Sequence, residues 1–234
     1  MQTTLLGLAI AFILALLAAL VGPYFINWDN HRALLETEAS RLIGLNVRVA
    51  GPIKVSVLPT PAMTLSDIEI GPAGQTSRLR ARSLSIELGL GALMRGEIRA
   101  VETRLVGPQF GIGLNSLGRI DWPAMTPHSD TVAIERLNIE DGRVVLTDAV
   151  SNSRAVLDKL WFRGQVRSLT GPFRGEGAFV SGGEIHGYKV SAGRLTDDGI
   201  RVKLNVEIAE RPLALEIDGT VAADRIYIET APSM

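Results

Sequence analysis

The apolar positions change their period twice along the chain. From Leu5 to Ile26 there is no period: LLGLAIAFILALLAALVGPYFI is almost wholly apolar. As a helix, those 22 residues rise about 33 Å at 1.5 Å per residue. That matches a bilayer hydrocarbon core of about 30 Å. No charged side chain occurs before Asp29. Tyr24 and Trp28 stand at the end of the run, where membrane-interface aromatics belong. Gly22-Pro23 can kink or end the helix there. Residues 1–28 therefore read as an uncleaved transmembrane anchor. A cleaved signal peptide is the alternative, but its basic n-region and a small-residue cleavage site are missing, and the run is long for it. A buried helix of a soluble core is a third reading. Charge orients the segment weakly, with only Arg32 and Arg41 close behind it.

Residues 29–44 take a period near 3.6. Leu34, Leu35, Ala39, Leu42 and Ile43 fall on one side, Asp29 or Asn30 can cap the start, and Gly44 supplies the stop. This predicts a short amphipathic helix leading from the bilayer into the folded region. From Asn46 the period becomes two. Val47 and Val49 alternate with polar or small residues, Gly51-Pro52 reads as a turn, and Ile53, Val55 and Val57 resume the alternation. Pro59 and Pro61 bracket a break. Leu65, Ile68 and Ile70 follow with a bulge expected near Asp67, then Leu84, Ile86 and Leu88. Ala92 to Arg95 reads as one helical turn, and Ile98–Leu105 and Phe110–Leu114 as strands.

Pro123 to Asp130 is the best linker candidate, dividing residues 45–126 from a second β-rich module at 127–234. In that second half, Ile134, Leu137 and Ile139 precede a turn at Asp141-Gly142. Strands at 156–166, 173–180, 184–190, 200–208, 213–217 and 226–228 follow, separated by turn signals at Gly171-Pro172, Gly182-Gly183, Asp197-Asp198-Gly199 and Asp218-Gly219. Such spacing predicts a mainly β fold: an N-terminal transmembrane helix, an amphipathic helix, and an extended, curled antiparallel β-sheet.

Composition removes most chemistry. Lys+Arg number 24 against 25 Asp+Glu, a net charge of -1, so nucleic acid is not an expected partner. With no cysteine there are no disulfides, thiolate nucleophiles or iron–sulfur clusters. The three histidines, His31, His128 and His186, lie far apart. Gly89-Leu90-Gly91 and Gly111-Ile112-Gly113 lack the third glycine and the helix of a dinucleotide loop. Asp197-Asp198-Gly199 lacks the alternating acids of a calcium loop. Trp122 and Trp161 read as core or rim aromatics and His186 as structural or exposed. No metal, cofactor or catalytic residue is expected. What stands out is a wide sheet with a weakly charged face that must be covered by its own second layer, a partner or acyl chains.

The order of several short motifs resembles the N-terminal region of the AsmA family of bacterial envelope proteins. They are Arg41-Leu42-Ile43-Gly44, Val47-x-Val49-x-Gly51, Ile53-x-Val55-x-Val57-Leu58-Pro59-x-Pro61, Leu65-Ser66-Asp67-Ile68-x-Ile70-Gly71 and Leu93-x-Arg95-Gly96-Glu97-Ile98. Leu105-Val106-Gly107-Pro108, Gly118-Arg119-Ile120-Asp121-Trp122 and Ile139-Glu140-Asp141-Gly142-x-Val144 continue the series, with Asp148, Ser168-Leu169-x-Gly171-Pro172 and Asp218-Gly219 behind them. No motif is specific alone; order and spacing over nearly the whole chain carry the resemblance.

The resemblance implies an inner-membrane anchored protein with its bulk in the periplasm, linked to outer-membrane biogenesis. It also implies a fold similar to TamB-like, bridge-like lipid-transfer proteins, whose curled sheet shields acyl chains. On that reading Val55, Val57, Leu65, Ile68, Ile86 and Leu88 are groove candidates, and the partners are the membrane, phospholipid acyl chains and other envelope proteins. The alternative is a scaffold that pairs with a partner through its sheet edges; an envelope enzyme is the third. Family members are usually several times longer. Some 15 strands at about 4.8 Å each extend only about 70 Å, which fits an N-terminal piece, a truncated gene or a small member acting with a partner.

Overall fold

The computed structural model describes residues 2–25, 28–71, 79–97, 99–114, 133–148, 151–168, 171–194, 196, 199–208, 214–221 and 226–229. Side chains of the first helix are described at 6–15, 17 and 22, and those of the last two strands at 218 and 219. Helix α1 (Gln2–Phe25) is followed by a 3-10 turn at Trp28–His31 and helix α2 (Arg32–Ile43). The strands are β1 (Val47–Val49), β2 (Ile53–Ser56), β3 (Ala62–Ile70), β4 (Leu79–Leu88), β5 (Arg99–Val106), β6 (Gln109–Leu114), β7 (Ala133–Asp148), β8 (Ser153–Val166), β9 (Phe173–Ser181), β10 (Glu184–Ala192), β11 (Ile200–Ile208), β12 (Ala214–Val221) and β13 (Ile226–Glu229). One helical turn, α3 (Leu90–Leu93), sits between β4 and β5.

Helix α2 ends as the sequence predicts, with Gly44 left-handed at φ 77. Its start differs from expectation. Neither Asp29 nor Asn30 caps it; the cap position is His31, without a side-chain hydrogen bond. Asp29 instead pairs with Arg32 at 2.6 Å. Leu35, Ala39 and Ile43, spaced by one helical turn, pack on a core of Val47, Val49, Ile53, Leu65 and Ile68. The polar side of the helix binds β1. Arg32 donates to the carbonyls of Val49 and Gly51 at 2.8 and 3.0 Å. Ser40 Oγ accepts the Val47 N–H at 2.8 Å, and Glu36 Oε1 accepts the Val49 N–H at 2.6 Å.

All described strands join one sheet, ordered β1-β3-β4-β5-β7-β8-β9-β10-β11-β12-β13. The expected antiparallel sheet is mixed instead: β7 runs parallel to both β5 and β6. A parallel neighbour needs a long connection, and residues 115–132 separate β6 from β7 in the chain. The proposed linker at Pro123–Asp130 falls in that stretch, outside the described residues.

Two glycine–proline pairs turn out to interrupt strands without reversing them. β1 and β2 pair in succession with β3, so Gly51-Pro52 is a break in one edge strand and not a turn. β5 and β6 likewise share one place between β4 and β7, divided by Gly107-Pro108. Asp141-Gly142 is a bulge inside the 16 residues of β7, and Asp218-Gly219 lies within β12. Gly171-Pro172 and Gly182-Gly183 do separate strands as read.

These breaks line up across the sheet. Left-handed residues occur at Asp67 (φ 51) in β3, Gly107 (φ 61) between β5 and β6, Asp141 (φ 54) in β7 and Lys159 (φ 50) in β8. Along this line the apolar spacing stretches from two residues to three: Leu65 to Ile68, Ala81 to Leu84, Ile139 to Gly142, Leu157 to Leu160. A one-residue shift would turn every later side chain to the other face. The extra residue in each strand keeps the apolar set on one side.

Candidate functional site: the apolar sheet face

Cα partners in a sheet share a face, so register reads out the surface directly. One row runs Val55, Met63, Ile86, Thr103 and Leu137, and continues through Gly164, Gly175, Val190 and Leu204. The adjacent row runs Leu65, Leu84, Leu105, Ile139 and Phe162, then Gly177, Tyr188 and Val206. Two apolar rows thus cross the sheet from its first edge to β11. Thr103 is the polar exception; it is 5% exposed, and its Oγ1 has no hydrogen-bond partner.

The groove candidates fall into two groups. Val55, Ile86 and Leu88 are half-buried on this face, Val55 packed against the core beneath α2 and Leu88 beside Ala100 after a register shift between β4 and β5. Leu65 and Ile68 belong instead to the closed core beneath α2, at 6% and 2% exposure. Val57 lies past the end of β2 at 38% exposure. Of the two interface aromatics, Trp28 packs against the same core, its ring 6.2 Å from that of His31. The Tyr24 side chain lies outside the described residues.

An aromatic shelf, not anticipated from sequence, occupies the face over β8–β10. The Phe162 and Tyr188 rings are stacked 6.4 Å apart at 11°, and Phe179 lies 5.9 Å from Tyr188 and 5.4 Å from His186. Glycines make the floor. A Cβ on Gly175 would come within 2.3 Å of the Phe162 ring, and one on Gly177 within 2.7 Å of the Tyr188 ring. The alternation of glycines at 175 and 177 inside a predicted strand is the signal that could have located the shelf. Burial pushes the Tyr188 phenol up to about 12. Its hydroxyl donates to the Trp161 carbonyl at 3.2 Å.

The opposite face is charged and laced with cross-strand pairs, among them Arg80–Glu69 at 2.9 Å and Arg104–Glu140 at 3.3 Å. Arg82 pairs with Asp141, and Arg143 with Asp158, along the line of bulges. Hydrogen bonds from Arg201 and Lys203 hold the Asp218 carboxyl down to about 2, against the smaller opposing effect of desolvation. Among the described residues no three His, Asp or Glu side chains gather as a metal site.

Among the described residues no helix is long and apolar enough to cross a membrane. Helix α1 as a backbone element spans 24 residues, Gln2–Phe25, with no acid in its first turn and no base in its last. Its described side chains stand exposed, Leu8 at 73% and Phe12 at 67%.

The model of the AsmA family matches residues 2–184, and the chain belongs to that family. No curated protein and no solved structure matches the chain.

Proposed function

We propose that this AsmA-family chain is a membrane-anchored, non-enzymatic envelope protein that carries phospholipid acyl chains on the apolar face of its sheet. Family membership suggests an envelope and outer-membrane biogenesis role. The lipid reading is carried by one observation: beyond the core beneath α2, the paired apolar rows run unbroken by charge from Ile86 and Leu105 to Leu204 and Val206. An acyl chain laid along them gains roughly 0.8 kcal/mol per buried methylene. No polar recognition, catalytic group or cofactor is needed.

The anchor reading rests on α1. Its 24 residues rise about 36 Å, its sequence has no charge, and its described leucines, Leu6, Leu8, Leu14 and Leu17, face outward. In this reading α1 sits in the inner membrane, the sheet stands in the periplasm, and α2 holds the first strands near the bilayer. The alternative, a scaffold recruiting partners through its edge, is less favoured at β1. There the side chains of Arg32, Glu36 and Ser40 already occupy backbone groups of the edge strand.

A photo-crosslinking residue placed singly at four positions of the full chain in membranes tests the proposal. Ile86 and Leu105 lie on the apolar face; Ser85 and Arg104 are their neighbours on the charged one. Phospholipid adducts are expected at the first two and not at the second two. Equal adducts on both faces, or none on either, would overturn the acyl groove.

A further inference from the structure

The charged face over β7–β11 holds a cavity of about 850 Å³. Five cations line it, one on each strand: Arg136, Arg163, Arg174, Lys189 and Lys203. Their placement alternates between two rows. Asn138, Arg163, Glu176, Lys189 and Asn205 are successive Cα partners in one row. Gln165, Arg174, Ser191 and Lys203 form the next, with Arg136 at its β7 end. The cations therefore zig-zag across five strands, with neutral or acidic groups in between. Strands lie about 4.8 Å apart and diagonal neighbours about 7–8 Å.

Three of the cations are balanced. Arg136 pairs with Glu102 at 3.4 Å, Lys189 with Glu207 at 3.5 Å and Lys203 with Asp218 at 3.2 Å. Arg163 and Arg174, on diagonal positions, make no ion pair among the described residues. Glu176, the cross-strand partner of Arg163, is the one acid among the lining residues, so the lining carries five cations to one carboxylate. The cavity also holds acceptors: the Glu176 carboxylate lines it, and Asn205 Oδ1 is buried without a partner. Cations beside lone acceptors suit an anion that also carries hydroxyl groups.

We propose that this cavity binds a ligand bearing two or more phosphates, laid across β7–β11 with Arg163 and Arg174 as its principal contacts. Phosphate fits better than carboxylate because its three free oxygens can be shared by two guanidinium forks and a lysine at once. The charged side chains that line it alternate along each strand with the acyl row, of which Gly164, Gly175, Val190 and Leu204 also border the cavity. A phosphorylated lipid headgroup and a soluble phosphorylated saccharide share this chemistry.

The full chain in neutral detergent micelles, titrated calorimetrically with tripolyphosphate, tests the site. Saturable binding is expected, weakening as salt rises from about 0.05 M to about 0.5 M. The double variant Arg163→Gln/Arg174→Gln should bind roughly tenfold or more weakly, with an unchanged melting curve. Arg95→Gln, away from the cavity, should bind as the parent does. Should the double variant melt early, Arg174→Gln alone carries the same test, with a several-fold loss expected. No binding by the parent, equal binding by the variants, or tighter binding of citrate than of tripolyphosphate would each overturn the proposal. Competition by micelles containing diphosphatidylglycerol would make the ligand lipid-borne; tripolyphosphate binding without that competition would make it soluble. Either supports the site.

Discussion

Glu36 and Ser40 lie on a helix yet complete a strand. Their side chains take the N–H groups of Val49 and Val47, and Arg32 takes the carbonyls beside them. A sheet edge normally leaves such groups open to pairing with another chain. Replacing Glu36 by alanine strands one of these donors, at a cost on the order of 1–2 kcal/mol; thermal or urea unfolding of the variant measures it. Tyr188 gives a second handle. Its folded pKa of about 12 lies above the usual 10.0, so the unfolded chain releases this proton first as pH rises. The stabilisation is complete below about pH 10 and falls away between about pH 10 and 12. Absorbance titration should show Tyr188 ionising late. Tyr188→Phe should remove that late phase and flatten the loss of stability over the same window.

At the scale of elements, the line of bulges decides which face each strand presents. Lys159 holds φ 50 in mid-strand. A β-branched side chain there costs about 1–2 kcal/mol. Glycine relieves the strain and returns roughly the same in unfolded-chain entropy. Lys159→Val should therefore melt well below the parent and Lys159→Gly close to it, by differential scanning calorimetry.

Strand identity was legible from sequence wherever Val, Ile and Leu alternate, and one bulge, at Asp67, could be read from the three-residue step between Leu65 and Ile68. The others were hidden. Asp141-Gly142 and Gly51-Pro52 have the composition of turns, and only the neighbouring strand shows that the chain runs straight on. The parallel placement of β7 was equally invisible, because local alternation is the same for either strand direction. In the candidate site, Val55 and Ile86 were readable as residues of one face, with Met63 between them. Leu65 and Ile68 were not separable from them, since cover by α2 is a tertiary fact. The Phe162–Tyr188 shelf depends on glycines from two strands meeting under one ring, a pairing no single segment contains.

The whole molecule is one sheet with two unlike faces, closed at its first edge by α2. The faces differ by single-residue steps, which makes the lipid proposal sharply testable. Ile86→Glu places a charge in the apolar row, and Ser85→Glu places one on the other side of the same strand. The first should sharply reduce phospholipid co-purified with the full chain, measured by native mass spectrometry; the second should leave it near the parent level. Circular dichroism on both variants separates lost binding from lost folding.

From β7 onward every strand pairs with the one immediately before it in the chain. Each hairpin leaves and re-enters the sheet at the same end, so a hairpin can be spliced in or out at a loop without rethreading anything upstream. Two strands lengthen the sheet by roughly 10 Å, while α1, α2 and the parallel pairing of β6 with β7 stay as they are. Distance spanned becomes a modular quantity, open to duplication or deletion of small gene segments and set by counting hairpins as one reads off a ruler.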